Sequence, residues 1–269
     1  MGGIIFYSLS LTFLLYLTGV SNIRLYSIIK AFMPVVLGEW WFASCYFLLF
    51  LLHPFLNIII REINSDIYQR LLVFIISCWC IIPTFLPTQF YCNSLIWFIS
   101  LYFLAGYIRL YQDDFSRYSS KQLLCFSVIS MIITYSLSVF VVVISAKYTF
   151  LSKYSYHFFE QNALTTLLSS VSLFLGMLKC KISYNLWINL IASATFGVYL
   201  IHDHQLVRPY LWKTIFHNAD FQDSVTIIPY SIIVCFLVYI VCTIIELLRQ
   251  KTIERIYLRM IDKFLETHL

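Results

Sequence analysis

Hydrophobic residues run along this chain in long uninterrupted stretches and do not alternate with polar ones. Eight such runs lie at residues 3–20, 40–60, 71–87, 94–110, 122–144, 163–178, 186–202 and 227–248. Most approach the roughly 20 residues that an α-helix needs to cross a bilayer, whereas barrel strands would alternate over about ten. The pattern therefore predicts an all-α, polytopic helical membrane protein with about eight transmembrane helices.

Composition points to the same class of protein. The chain has 269 residues, of which 61% are hydrophobic and 12% are charged. Soluble domains carry about 25% charged residues, so the usual water-facing exterior is missing. Because no internal repeat or Gly/Ser linker occurs, we predict a single domain over residues 1–248, followed by a tail at 249–269. No basic patch on a soluble fold is predicted, so nucleic acid is not an expected partner.

Cysteine spacing gives no sign of a metal site. Six of the eight cysteines lie inside apolar runs, where small buried hydrophobic residues are expected. No zinc spacing or nucleotide-binding glycine motif occurs, so we expect neither a metal nor a tightly bound cofactor.

Glu246, near the end of the last run, is expected to pair with Arg249 or Arg109.

Lys and Arg predict the orientation of the helices, because cytoplasmic loops are enriched in both. With the runs above, twelve of the 18 basic residues fall on one side and six on the other. We therefore predict that both termini are cytoplasmic. Ile253, Ile256, Met260 and Phe264 recur at helical spacing among basic residues, which predicts an amphipathic tail lying on the membrane lipid of the cytoplasmic leaflet. A partner-binding helix is the alternative.

Polar residues at the ends of the runs are candidates for chemistry, because ionisable groups at membrane depth are costly. His202 and Asp203 close the seventh run, and Glu39 precedes Trp40 at the start of the second. An imidazole beside a carboxylate can transfer protons or bind a sugar hydroxyl. We predict a polar cavity shared by these groups, with Arg208 beside it. Simple anchoring at the membrane interface explains the spacing at least as well.

Three stretches of the chain carry a resemblance to a known family. Trp41-Phe42, followed by residues 48–57 (LLFLLHPFLN), is similar to the family's WF…LYLLSPFLN segment. Trp97-Phe98 with residues 106–109 (GYIR) is similar to its WF…YFLGYYIR span, and residues 195–203 match its TFGVYLIHD ending. In order and spacing these segments resemble the bacterial acyltransferase-3 family, integral membrane enzymes that O-acylate sugars and surface polysaccharides.

The resemblance implies a membrane O-acyltransferase of the bacterial plasma (inner) membrane. It implies acetyl-CoA as the acyl donor on the cytoplasmic side and a cell-envelope glycan as the acceptor. The candidates for binding the acceptor are Glu39, Trp40, Tyr199 and Arg208. The candidates for meeting the phosphates of acyl-CoA are Arg61, Arg109 and Arg117.

One part of the family pattern has no match in this sequence. The family's N-terminal spans carry a basic residue and, about eleven positions or three helical turns later, the His assigned as catalytic base. Arg24 is followed at that distance by Val35. The resemblance thus implies an N-terminally truncated member, with His202 and Asp203 as the remaining catalytic candidates. We expect no acyl transfer by this chain alone, and a separately encoded N-terminal segment is a candidate partner.

Two other functions stay open at this point. The first is a non-enzymatic membrane component, either a remnant or a subunit. The second is a glycan flippase or polymerase, although a polymerase is expected to have a large outer loop with paired arginines. The longest predicted outer loop here, at residues 203–226, is short.

Overall fold

The computed structural model of the protein describes residues 2–19, 24–86, 88–111, 115 and 117–260, and these residues form helices without a strand. The helices are α1 (Gly2–Leu17), α2 (Leu25–Phe32), α3 (Trp41–Glu62), α4 (Ser65–Ile76), α5 (Ile82–Phe85), α6 (Ser94–Leu110), α7 (Ser120–Ser145), α8 (Leu164–Leu178), α9 (Leu186–His202), α10 (Val207–Pro209) and α11 (Ile227–Arg249). Wider π-helical turns lie at Ser77–Ile81, Tyr210–Ile215 and Gln250–Glu254, and 3₁₀ turns at Thr149–Tyr154, His157–Phe159 and Asn218–Phe221.

The long helices coincide with the apolar runs. Within the described residues, five helical stretches are long and apolar enough to cross a membrane: Trp41–Glu62, Ser65–Phe85, Ser120–Ser145, Thr149–Leu178 and Ile227–Met260. The shorter apolar helices α1, α6 and α9 fall on the other three runs. The all-α membrane fold is therefore confirmed, while the number of crossings stays a prediction. Residues 20, 87 and 261–269, which belong to two predicted runs and the tail, lie outside the described residues.

Polar residues between the runs set where the helices begin. Asn64, Asn93 and Asn185 precede α4, α6 and α9, and each side chain accepts a hydrogen bond from the backbone N–H three residues further on. Before α7, Ser119 and Gln122 form a reciprocal capping box. These caps satisfy N–H groups that the helix itself leaves unpaired, which stabilises each helix start by about 1 kcal/mol.

The chain forms two compact units, residues 1–44 with 183–269 and residues 45–182. In the first unit, α1, α9 and α11 pack around a core that includes Tyr7, Trp40, Leu200 and Val238. The face of α11 turned away from this core exposes apolar side chains such as Phe236, as expected for a helix face in contact with lipid. The single-domain assignment for residues 1–248 stays a prediction.

In the second unit, small residues allow close helix packing. Gly106 on α6 lies so near α4 that an added Cβ would sit 2.6 Å from the Tyr68 hydroxyl. That hydroxyl donates a 2.7 Å hydrogen bond to the carbonyl oxygen of Phe103. Along α7, the hydroxyls of Ser127 and Ser130 donate to backbone carbonyl oxygens of α8, each at 2.9 Å. Such contacts replace the hydrophobic driving force that is absent between helices in lipid.

Candidate functional site

Three ionisable side chains meet inside the first unit. Glu39 Oε2 lies 3.5 Å from Lys30 Nζ, and Glu39 Oε1 lies 3.6 Å from His204 Nε2. The exposed fractions are 6% for Lys30, 7% for Glu39 and 1% for His204. Charges this deeply buried persist only when they are paired, because desolvation costs several kcal/mol per ion. We call Lys30, Glu39 and His204 the buried triad.

Each member of the triad is held by a different segment. Lys30 lies in the last turn of α2. A turn connects α2 and α3, and Gly38 adopts φ +64° there, a conformation that favours glycine. The Glu39 N–H donates to the Pro34 carbonyl at 2.8 Å, which closes the turn. His204 follows the end of α9 by two residues.

Backbone groups fix the Glu39 carboxylate and the His204 ring. The Gln205 N–H donates to Glu39 Oε1 at 3.0 Å. The Leu206 N–H donates to His204 Nδ1 at 3.3 Å, so Nδ1 carries the lone pair and the hydrogen of the neutral ring lies on Nε2, toward Glu39. Burial lowers the pKa of His204 below its ordinary value, and the Glu39 carboxylate acts in the opposite direction. The ring is therefore neutral at pH 7.

Further polar groups without partners surround the triad. The indole of Trp40 lies edge-on to the His204 ring, with centroids 5.5 Å apart. The backbone carbonyl of Ser8 on α1 faces the same imidazole. Among the described residues, Trp40 Nε1, Ser8 Oγ and His204 Nε2 are buried and have no partner within hydrogen-bonding distance. Buried polar groups without partners are costly and are often found at functional sites.

The residues predicted to form a polar cavity fall into two groups in the structure. Glu39 and Trp40 belong to the triad and its surroundings. His202 Nδ1 donates to the Val198 carbonyl one turn back at 2.7 Å, and Asp203 pairs with Arg208 at 3.2 Å. Glu39 receives its contacts from other residues, so a cavity shared by His202, Asp203 and Glu39 stays a prediction.

Tyr199 packs edge-on against Phe42, with ring centroids 5.9 Å apart. Both side chains belong to the first unit, Tyr199 on α9 and Phe42 in the first turn of α3. The predicted role of Tyr199 in binding the acceptor is not tested by this contact.

Sequence reasoning missed two members of the triad. Lys30 enters the sequence analysis only as one of the six basic residues predicted on the outer side. The sequence gives no reason to prefer His204 to the His202-Asp203 pair just before it. Hydrophobic periodicity carries no information about a contact between residues 39 and 204. A Glu in front of an aromatic run at a predicted helix start is the local signal that pointed to this place.

A polar groove lies in the second unit, between α3 and α6. It has a volume of about 620 Å³, and its lining includes Arg61, Arg109, Asn57 and Tyr102. The Tyr102 hydroxyl donates to Asn57 Oδ1 at 2.8 Å, which fixes one polar wall. Two of the three arginines predicted to meet acyl-CoA thus share one groove. Arg117, the third, is exposed and is not part of its lining.

Comparison with known families agrees with this architecture. The acyltransferase-3 family model, described as an acyltransferase domain, matches residues 2–247. The chain belongs to the acyltransferase-3 family. No curated protein and no solved structure matches the chain. The family match spans α1 to α11 and therefore includes both the buried triad and the groove.

The structure gives a physical reason for the glycine in the TFGVYLIHD segment that resembles the acyltransferase-3 ending. A Cβ on Gly197 would lie 2.3 Å from the Glu246 carboxyl carbon. Glu246 accepts hydrogen bonds from the Tyr7 hydroxyl at 2.6 Å and from Arg249 Nε at 2.8 Å. The predicted pairing of Glu246 with Arg249 is confirmed, and Gly197 makes room for it. This network joins α1, α9 and α11.

Proposed function

We propose that the chain is a membrane O-acetyltransferase that transfers an acetyl group from acetyl-CoA to a hydroxyl of a cell-envelope glycan. The observation that carries the proposal is membership of the acyltransferase-3 family over residues 2–247 of an all-α membrane chain. The choice of acetyl-CoA and of a glycan rests on the sequence resemblance. The buried triad supports the proposal, because attack by an ordinary hydroxyl needs a group that accepts its proton.

The polar groove supports acyl-CoA as the donor. Acyl-CoA carries several phosphate charges, and guanidinium groups bind phosphate with paired, charge-assisted hydrogen bonds. Arg61 and Arg109 lie exposed in one groove and have no ion-pair partner within the described part of the chain. They are therefore available to an anionic ligand.

Steady-state kinetics of acetyl transfer test the donor site. Purified protein in proteoliposomes is given isotope-labelled acetyl-CoA and an envelope glycan, and ester formation is followed. Arg61→Ala and Arg109→Ala should each raise KM for acetyl-CoA about tenfold, since a hydrogen bond to a charged group contributes about 1.5–3 kcal/mol.

Arg117→Ala is the matched control, because this arginine is exposed outside the groove, and its KM should stay near that of the wild type. Equal KM values for all three variants would show that the groove does not bind acyl-CoA. Absence of labelled ester from the wild-type protein would contradict the transferase proposal and favour a non-enzymatic membrane component. Movement of an unmodified lipid-linked glycan across the proteoliposome membrane would instead favour a flippase.

A further inference from the structure

In the buried triad an imidazole lies beside a carboxylate. His204 Nε2 lies 3.6 Å from Glu39 Oε1, slightly longer than a direct hydrogen bond. In the described residues, His204 is the one histidine that lies this close to a carboxylate. His53 and His157 instead contact backbone carbonyl oxygens, at 2.6 and 3.0 Å.

We propose that His204 is a general base that takes the proton from the acceptor hydroxyl, and that Glu39 is the positioning residue that orients its ring. The inference rests on the proposed function, since it assigns a base for the same acyl transfer. It also states the chemical class of the acceptor, an alcohol that is deprotonated as it attacks. The expectation of no acyl transfer by this chain alone stays a prediction, and that outcome would contradict a base at His204.

The two ring nitrogens have different surroundings. Nε2 faces the buried carboxylate, and the tautomer follows from the Leu206 N–H, which donates to Nδ1. Nδ1 faces the turn at residues 204–206, where Gln205 is exposed and Leu206 is half-buried. The Leu206 N–H reaches Nδ1 at 3.3 Å, a long contact that an incoming hydroxyl can replace. Nδ1 is therefore the nitrogen whose lone pair can accept a proton, in a side chain that is 1% exposed.

The charges around the ring suit a group that is neutral at rest and accepts a proton during the reaction. Within the described residues, the titratable groups that face His204 are Glu39, from the turn before α3, and Lys30, from α2. Helix α1 contributes the backbone carbonyl of Ser8. Burial keeps the resting ring neutral, so its lone pair is available. Once the ring takes up a proton, the Glu39 carboxylate stabilises the imidazolium, as the buried carboxylate does in a Ser-His-Asp triad. Lys30 balances the carboxylate charge in the resting state.

The proposed step conserves atoms and charge. The proton of the acceptor O–H moves to His204 Nδ1 as the hydroxyl oxygen forms a bond to the acyl carbonyl carbon. The C–S bond of the acyl thioester then breaks, and the sulfur leaves as the thiolate of CoA. The imidazolium returns its proton to this thiolate. The products are an ester, CoA with a free thiol, and neutral His204.

The first test is the rate of acetyl transfer by the full chain in proteoliposomes. His204→Gln should lower kcat about 10²–10⁴-fold, the usual contribution of a general base, and leave KM for acetyl-CoA unchanged. His217→Asn is the control, because His217 is exposed and has φ +47°, which Asn tolerates. Its kcat should match that of the wild type.

The second test is the pH profile of kcat, whose acid limb reports protonation of the base. Glu39→Gln removes the charge that holds the proton on the ring, so the limb should move to lower pH. Lys30→Gln removes a cation that repels the proton, so the limb should move to higher pH. A purely structural role for these residues would lower the rate without moving the limb in opposite directions.

The double variant Lys30→Gln/Glu39→Gln removes both charges together and serves if either single variant fails to fold. The charge of Glu39 changes the pKa of His204 more than the charge of Lys30 does. The acid limb of the double variant should therefore move to lower pH, but by less than in Glu39→Gln. Wild-type transfer combined with full activity of His204→Gln, or with an unmoved limb in the Glu39 variants, would overturn this inference alone. No transfer by the wild type would overturn the proposed function and the inference with it.

Discussion

At the scale of single residues, the first unit depends on polar groups that are buried and paired. Glu246 accepts hydrogen bonds from Tyr7, Arg249 and Gln250, all at 2.6–2.9 Å. Removing one partner from such a network leaves an uncompensated charge in a medium of low dielectric, which costs more than the pair itself contributes. The space for this carboxylate exists only because position 197 has no side chain.

Gly197→Ala should therefore destabilise the first unit. The new Cβ would lie within 2.5 Å of three Glu246 atoms, so the carboxylate must leave its position between Tyr7 and Arg249. We expect a loss of about 1–3 kcal/mol in the free energy of unfolding, as for other overpacked cores. Thiol labelling of buried Cys242 during thermal unfolding in detergent measures it.

The matched control for this change is Gly3→Ala, which adds the same methyl group. Its Cβ would lie 3.7 Å from Arg249 Nη2, an ordinary van der Waals contact. It should stay within about 0.5 kcal/mol of the wild type. A Gly197→Ala protein as stable as Gly3→Ala would show that the close approach of Glu246 is not required.

The residue scale is also where the sequence was least informative. Glu39 and Trp40 could be selected because they stand next to each other at a predicted helix start. His204 could not be preferred over His202, since its role depends on contact with Glu39, 165 positions earlier, and spacing along one helix does not encode such a contact. The preference for His202 came from its match to a family segment, and its catalytic role stays a prediction.

At the scale of elements, the helices were predictable because the length of an apolar run is a local property. The third run is instructive: we predicted it at 71–87, whereas helical structure begins at Ser65. The first turns of α4 contain Asp66, Gln69 and Arg70, which hydropathy alone assigns to a loop. The side chain of Asn64 caps this polar beginning. The π-helical turn that follows α4 has no comparable signal in the sequence.

The packing of α7 on α8 gives a prediction at this scale. Ser127 is 1% exposed, and its hydroxyl donates to the Ser169 carbonyl oxygen. Ser127→Leu should force the helices apart and lower the free energy of unfolding by about 1–3 kcal/mol. Ser127→Ala should lose only about 0.6 kcal/mol, the average for a hydrogen bond between helices in a membrane. Unfolding by SDS titration in mixed micelles measures both.

Val128→Leu is the control for added bulk, because the neighbouring side chain is exposed. It should leave the unfolding midpoint close to that of the wild type. If Ser127→Leu and Val128→Leu have the same midpoint, α7 and α8 do not pack through their small residues.

At the scale of the whole molecule, the membrane fold follows from composition, and the orientation rests on the distribution of Lys and Arg. The helical stretch Ile227–Met260 has 34 residues. At about 1.5 Å per residue it is longer than the roughly 30 Å hydrocarbon core. Its last turns carry the basic residues Lys251, Arg255 and Arg259, so they are expected to extend beyond the core on the cytoplasmic side.

Reporter fusions test the orientation directly. A green fluorescent protein joined after Leu269 should fluoresce, and alkaline phosphatase inserted in the loop at residues 145–162 should be active, because the two points are predicted on opposite sides. The exchanged pair of reporters should be silent at both points. Phosphatase activity at Leu269 would show that the orientation is reversed.

The most direct measurement of the central claim is mass spectrometry of envelope glycans from cells that lack other O-acetyltransferases. Cells that produce the wild-type chain and are fed ¹³C-labelled acetate should carry labelled O-acetyl esters on a glycan. Cells that produce the His204→Gln variant at the same membrane level should lack them. Glycans of the wild-type strain that are identical to those of cells without the chain would contradict the account.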